Sequence, residues 1–289
     1  MTHLRRISRP TSWLAWMGGA PAPWHFAALE QAYALMGEGR FEEAEARARA
    51  LATARRSRKG RDRRPGTAWY ATHVAVVAAR AHGRRVPSSL GEVEELIAEA
   101  GRTNDLPHGL LLAARLNRAL VLIDEECPVE AEAECRDVLR ALARRAHPAK
   151  YRRIERAALN CLGHALCTQG LYEEPETIAR ANLPRADDGE AAHSLRVLLV
   201  RSLAGLGRHA EALAEALAES LEAQSLPEPP PHAVGHLELY RATALHGLGR
   251  SDEARAEAAR ALAACERHLH PTHTRTAALR SLLSRIPPS

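Results

Sequence analysis

Histidines are the side chains of this 289-residue sequence that come closest to a metal-binding pattern. His268, His270 and His273 crowd the string HLHPTH, but Pro271 stiffens it and no carboxylate or cysteine stands at a matching ligand spacing. His232 and His236 are one helical turn apart, as in an HExxH pair, yet the glutamate is missing. We therefore expect no metal and no cofactor.

Catalytic motifs are equally sparse. The strings GxxxxGK[ST] and GxSxG do not occur, so the sequence supports neither a phosphate-binding loop nor a nucleophile elbow. Cys161, Cys167 and His164 share one predicted helix, but a cysteine on the apolar side of a helix is usually core. The sequence predicts a protein that is not an enzyme.

A basic segment is the strongest charge feature. The string RRSRKGRDRR carries seven basic side chains and one acid, the basic ones being Arg55, Arg56, Arg58, Lys59, Arg61, Arg63 and Arg64. Residues 1–64 hold 13 basic and 6 acidic residues, whereas the rest of the chain holds 27 and 29. Such a cluster could contact nucleic-acid phosphates, although no recognised nucleic-acid motif accompanies it. An acidic protein partner and a solvated loop are the alternatives.

Composition favours helices. The chain is 46% hydrophobic but only 4% aromatic, and it is rich in Ala, Leu, Arg and Glu, the residues that lose least on entering a helix. The five cysteines form no CxxC pair, so we expect reduced, mostly buried thiols. The only charge-free window long enough to span a bilayer, residues 10–29, is interrupted by glycines and prolines, so we expect a cytoplasmic protein without membrane contact. Residues 1–24, with three tryptophans, are predicted to form an irregular arm before a repeat domain over 25–289.

Internal sequence repeats cover most of the chain after residue 24. GEGRFEEAEARA, GLGRHAEALAEA and GLGRSDEARAEA share a Gly-Arg step, two variable positions, an acid and an alanine, and three poorer copies fill the gaps. The turn anchors are separated by 44, 43, 44, 37 and 42 residues and are Gly39, Gly83, Glu126, Gly170, Gly207 and Gly249. Each anchor lies between two stretches with helical periodicity, which predicts six helical hairpins.

Compact residues lie at fixed offsets from these anchors. Seven positions before them stand Ala32, Val76, Ala119, Gly163, Val200 and Ala242. Five positions after an anchor most units carry alanine, while the fourth carries Pro175, which fits only in the first turn of a helix. Small side chains at these places let the two helices of a hairpin approach closely.

On these residues the chain resembles the tetratricopeptide repeat (TPR) family, in particular the roughly 42-residue variety found in kinesin light chains. The Leu116-Asn117 and Leu159-Asn160 steps and the His147-Pro148 and His270-Pro271 loops carry the resemblance to that variety. It implies an all-α, right-handed α-solenoid of about six hairpins, with a final helix at about 272–285. The aromatic positions of the family motif are mostly Ala, Leu or His in this chain.

The resemblance also implies that the first helix of each hairpin lines a concave groove. Offsets of 13, 10, 6 and 3 residues before the anchors place Phe26, Tyr33, Tyr70, His73, Arg80, Asn160, His164, Arg201, His236 and His246 at groove positions. Such side chains can bind an extended peptide backbone or its carboxylates. We therefore expect a scaffold that binds a protein or peptide partner, with a phosphate-binding regulator acting through Arg55–Arg64 as the alternative.

Overall fold

The computed structural model describes residues 26–56, 65–83, 89–102, 108–144, 148–186, 189–223 and 233–287. These residues form thirteen α-helices: α1 Phe26–Gly37, α2 Phe41–Arg56, α3 Pro65–His82, α4 Ser89–Arg102, α5 His108–Asp124, α6 Pro128–Ala143, α7 Pro148–Thr168, α8 Glu173–Asn182, α9 Gly189–Gly205, α10 His209–Ala223, α11 His236–Gly247, α12 Ser251–His268 and α13 Thr274–Arg285. A short 3-10 turn, Leu183–Arg185, follows α8. The predicted irregular arm, residues 1–24, lies outside the described residues.

Six tight turns create the hairpins, and all six predicted anchors have a positive φ, from 63° at Glu126 to 79° at Gly170. In the fifth turn the Arg208 amide donates to the Leu203 carbonyl at 2.9 Å and the Gly207 amide to Ala204 at 3.1 Å. This is the hydrogen-bond pattern of a helix ended by a left-handed residue, where glycine avoids the steric penalty of a Cβ atom. The anchors therefore end the first helix of each hairpin.

The Gly-Arg step and the acid that follows it have a common role at the start of the second helix. Arg208 donates to both carboxylate oxygens of Glu211 at 2.7 and 2.6 Å, and Arg250 holds Glu253 in the same two-bond arrangement. Each glutamate lies in the first turn of its helix, where negative charge is favourable. The repeated sequence pattern is thus a fixed turn followed by a charged helix start.

Packing depends on the compact residues near the turns. Ala32, Val76, Ala119, Val200 and Ala242 are buried to 1% exposure or less. A Cβ atom added to Gly163 would lie 2.4 Å from Leu198 Cδ2, so α7 and α9 approach closely at this point. Pro175 is the third residue of α8 and is buried, which confirms its predicted place in a first turn.

The helices form two rows. Each first helix packs against the first helix of the next hairpin, from α1 through α3, α5, α7, α9 and α11 to α13. Each second helix packs between its own first helix and the following one. Because the first helices lie against each other, they form the inner row, and the second helices form the wider outer row. The predicted all-α, right-handed solenoid of six hairpins with a capping helix is confirmed.

The inner row curves far enough for the C-terminal cap to meet the second hairpin. The His270 amide donates to the His82 carbonyl at 2.9 Å, and Thr272 Oγ1 donates to the Gly83 carbonyl at 3.2 Å across 189 residues of sequence. The His82 and His270 rings lie 5.3 Å apart, and His273 occupies the space where Gly83 has no side chain. We call this set the closing contact. It brings α3 and α13 to the same side of the inner surface.

None of the helices in the described ranges is long and apolar enough to cross a membrane.

Candidate functional site

The inner row brings five polar side chains together at the C-terminal half of the solenoid. We call them the concave cluster: His164 and Thr168 from α7, Arg201 from α9, and His236 and Tyr240 from α11. His164 and Thr168 are four residues apart and therefore share one face of α7. Three successive first helices thus supply one site.

Arg201 is the centre of the cluster. Its Nη1 lies 3.1 Å from His164 Nδ1, and its Nη2 donates to Thr168 Oγ1 at 3.0 Å. Its Cζ lies 5.7 Å from the centroid of the Tyr240 ring, within the range of a cation–π contact. These partners are neutral, so they orient the guanidinium without cancelling its charge.

Two histidines stack beside this guanidinium. The His164 and His236 rings are 5.6 Å apart with an interplanar angle of 19°. Burial, followed by the fields of Arg201, Arg275 and Arg80, lowers the pKa of His164 to about 3. Burial and the Arg275 guanidinium also lower the pKa of His236. Both rings are therefore neutral at pH 7, and His164 Nδ1 can accept the hydrogen bond from Arg201.

Two further cations flank the cluster. Arg80 on α3 pairs with Asp124 on α5 at 3.9 Å, and its field reaches His164 and His273. Arg275 on α13 donates from Nη1 to the Val234 carbonyl, and burial lowers its pKa. Helices α3 and α13 therefore add positive charge on the side that the closing contact brings together.

Asn160 and His246 are among the inner side chains that carry a buried atom without a hydrogen-bond partner in the described part of the chain. Asn160 Oδ1 and His246 Nδ1 are both in this state. Asn160 precedes His164 by one helical turn and lies on the same face of α7. An unsatisfied buried acceptor costs about 1–3 kcal/mol, so a rotation of the Asn160 side chain that brings its Oδ1 to an incoming N–H donor would be favoured.

The sequence-based placement is wrong for three of the predicted groove residues. Tyr33, Tyr70 and His73 are 6%, 7% and 1% exposed, so their side chains belong to the core of the first two hairpins. The His73 ring stacks on Trp69 at 5.4 Å, and its nitrogens lie 3.2 Å from Asn117 Nδ2. Burial lowers the pKa of His73 to about 4 and raises the pKa of Tyr70 to about 12. Burial likewise raises the pKa of Tyr33.

Other predicted site residues have mixed outcomes. His164, Arg201 and His236 come together. Arg80 pairs instead with Asp124, Asn160 lies one helical turn before His164, and His246 lies in the last turn of α11. Arg58, Lys59, Arg61, Arg63 and Arg64 of the basic segment lie outside the described residues, as do the side chains of Phe26, Arg55 and Arg56.

Tyr240 and Arg275 are the contributors that sequence reasoning missed. Tyr240 lies nine residues before Gly249, between the offsets used for the prediction. Arg275 lies in the capping helix, which no turn anchor follows. The four-residue step from His236 to Tyr240 could have identified Tyr240, because it places both rings on one face of α11.

The remaining reactive side chains have structural surroundings. Cys161 is buried, and the neighbouring Cys135 thiol together with burial raises its pKa. Burial also raises the pKa of Cys167. His270 and His273 belong to the closing contact. In the part of the chain that the structure describes, no group of three or more His, Cys, Asp or Glu side chains is arranged to hold a metal ion.

Comparison with solved structures identifies the fold. The chain is similar to a protein described as "Crystal Structure of Rap Protein Complexed with Competence and Sporulation Factor", with a TM-score of 0.64 and 13% sequence identity. The match covers 91% of this chain and 70% of the other. No family model and no curated protein matches the sequence. The chain therefore has a TPR-like helical-repeat fold.

Proposed function

We propose that this protein is a non-catalytic scaffold that binds a peptide or an extended protein segment on its concave face. The observation that carries the proposal is the concave cluster, in which three successive first helices present polar groups to one inner surface. An extended segment on that surface would meet hydrogen-bonding side chains and a guanidinium.

A polar side chain without a full set of hydrogen bonds supports the same function. Asn160 lies one helical turn from the cluster, and no described residue donates a hydrogen bond to its Oδ1. A peptide backbone supplies an N–H at every residue except proline, so it can satisfy such an acceptor. The similar Rap protein was solved in complex with Competence and Sporulation Factor, which supports ligand binding as a use of this architecture.

The proposal includes the absence of catalysis. The Cys161 and Cys167 thiols have raised pKa values, which disfavours the nucleophilic thiolate. His164 and His236 have lowered pKa values and are poor proton acceptors at pH 7. We also propose that the repeats belong to the roughly 42-residue TPR variety, on the spacings of 42 to 44 residues between four of the five pairs of neighbouring anchors.

Selection from a displayed library of random heptapeptides tests the binding function. We expect the wild type to enrich a set of related peptides, and Asn160→Ala to bind them about three- to tenfold more weakly because one hydrogen bond is lost. Asn182→Ala is the matched control, since Asn182 lies on the outer helix α8 and bonds the Ile178 carbonyl of its own helix.

Affinities measured by fluorescence anisotropy separate the outcomes. Equal binding by the wild type and both asparagine variants would place the ligand elsewhere. Failure of the wild type to enrich any peptide would contradict the scaffold function itself.

A further inference from the structure

We infer, on the basis of the proposed binding function, that the closing contact is a gate. It holds the solenoid in a closed form, and a peptide segment reaches the concave cluster only after this contact releases. Two features of the molecule point to this control. The inner side chains cover one another, and the contact that closes the inner row around them is small.

The inner row is strongly curved at the concave cluster. Helices α7 and α11 are not neighbours, because α9 lies between them and packs against both. The His164 and His236 rings of these two helices nevertheless stack at 5.6 Å. Arg201 of α9 contacts both His164 and Tyr240. Side chains from three first helices therefore meet one another on the surface where a ligand would lie.

The burial of these groups agrees with this geometry. Burial raises the pKa of Tyr240 and lowers the pKa of His236. Burial also lowers the pKa of Arg275 on α13, and the fields of Arg275 and of Arg80 on α3 both reach His164. The two helices that the closing contact joins therefore flank the cluster. A segment that binds there needs these helices to move apart.

The closing contact is small and joins loops rather than packed helices. The His270 amide donates to the His82 carbonyl, and the Thr272 hydroxyl donates to the Gly83 carbonyl. These residues lie at the end of α3 and in the segment between α12 and α13. A few hydrogen bonds of this kind can break by local opening while the helices stay folded.

The repeat architecture allows the contact to open without unfolding. Each hairpin packs mainly against its neighbours, so small rotations between successive hairpins add up along the solenoid. Release of the contact would let α3 and α13 separate while every hairpin keeps its own core. The apparent affinity for a peptide would then be reduced by the fraction of molecules that are open, because only these bind.

Gly83 offers a way to release the contact. A Cβ atom added there would collide with the His273 ring, so Gly83→Ala should open the gate. Gly170→Ala is the matched control, because φ is 77° at Gly83 and 79° at Gly170 and both substitutions strain the backbone alike. A Cβ atom on Gly170 would meet no atom of the described residues within 4 Å. Thr272→Val removes the hydroxyl donor and is a milder variant.

Hydrogen exchange of the His270 amide reports the contact without any ligand, because this amide donates to His82. Measured by NMR, it should exchange about tenfold or more slower in the wild type than in Gly83→Ala. Thr272→Val should fall between them, and Gly170→Ala should match the wild type. Circular dichroism verifies that each variant is folded. Equal exchange in the wild type and Gly83→Ala would overturn the gate.

Association rates connect the contact to binding. The probes are fluorescein-labelled versions of the heptapeptides that the wild type selects, and stopped-flow anisotropy measures their association rate constants. We expect Gly83→Ala to bind them about fivefold or more faster than the wild type, because a larger fraction of its molecules is open. Gly170→Ala should bind them at the wild-type rate. Equal rates for the wild type and Gly83→Ala would overturn the gate while leaving the scaffold function intact.

A disulfide across the contact provides the opposite change. Because the His270 amide bonds the His82 carbonyl at 2.9 Å, cysteines at these two positions would lie within disulfide range, and glutathione disulfide can oxidise them. The double variant His82→Cys/His270→Cys is made with Cys127→Ser, because the other native thiols are buried.

This variant should bind the heptapeptides about tenfold or more slower when oxidised than when reduced, because the disulfide keeps the gate closed. Equal association rates of the oxidised and reduced forms would overturn the gate. Failure of the wild type to enrich any heptapeptide would instead contradict the scaffold function.

Discussion

The inner and outer rows of the solenoid use arginine in opposite ways. On the outer row Arg136 links Glu132 and Glu174, and Arg208 links Glu176 and Glu211, so the cations join neighbouring second helices. On the inner row, the described residues that hold Arg201 are all neutral: His164, Thr168 and Tyr240. Charges balanced within the protein stabilise the fold, whereas we propose that the charge of Arg201 contributes to ligand binding.

The pKa shifts of titratable groups also differ between the outer and the inner row. Hydrogen bonds from arginine lower the pKa of the outer carboxyl Glu176 and keep it charged, while burial lowers the pKa of the inner His164 and keeps it neutral. The outer surface therefore contains compensated charges. The inner surface contains neutral rings around a few cations.

Lowering the pH should have the largest effect on the free energy of unfolding, and it should act through the inner histidines. The folded-state pKa values of His73 and His164, about 4 and 3, lie below the value of about 6.5 in an unfolded chain. The unfolded chain consequently binds protons first as the pH falls. Stability from these groups is complete above pH ~6.5 and is lost as the pH falls toward the folded-state values, by at most about 1.4 kcal/mol per pH unit for each histidine.

Urea unfolding at intervals from pH 7 to pH 4.5 measures that loss. We expect His164→Asn to flatten the profile over this range and His268→Asn, which changes an exposed histidine, to leave it unchanged. The outer carboxyls should reduce the free energy of unfolding only below pH ~4.3, because the unfolded chain binds protons at its glutamates there while the folded protein, with lowered pKa values, does not. A wild-type profile that is flat between pH 6.5 and 4.5 would contradict the assignment of neutral inner histidines.

Removing one arginine from each row should have a smaller effect on stability. Arg136→Gln breaks one exposed and one partly buried ion pair, and Arg201→Gln breaks two hydrogen bonds to neutral groups. Each should lower the free energy of unfolding by less than about 1 kcal/mol. Raising the salt concentration should reduce the difference between wild type and Arg136→Gln, because salt screens that pair.

Denaturation curves at low and high salt check this comparison. A loss of several kcal/mol in Arg201→Gln would assign Arg201 a structural role and remove the contrast between the rows.

Local sequence predicted the hairpins because their turns are local. The Gly-Arg-x-x-acid pattern specifies a positive φ followed by a charged helix start, and even Glu126 adopts that φ. The offsets from these turns select His164, Arg201 and His236, and the structure brings these three side chains together. They failed for Tyr33, Tyr70 and His73 because a fixed offset cannot show how closely neighbouring hairpins pack, and the first two hairpins bury those side chains.

The closing contact could not have been predicted in this way. His82 and His270 meet because small rotations between successive hairpins add up around the inner row, and no single repeat contains that sum. For the same reason the sequence gives no direct sign that Arg275 on the capping helix acts on the same histidines as Arg80 on α3.

Charge reversal at Arg201 tests the central claim most directly. The measurement is the affinity of Arg201→Glu and of Arg136→Glu for the heptapeptides that the wild type selects. If the bound segment lies on the inner surface, Arg201→Glu should bind those peptides about tenfold or more weakly, and Arg136→Glu, on the outer row, should bind them as the wild type does. Equal binding by the wild type and Arg201→Glu would contradict the account.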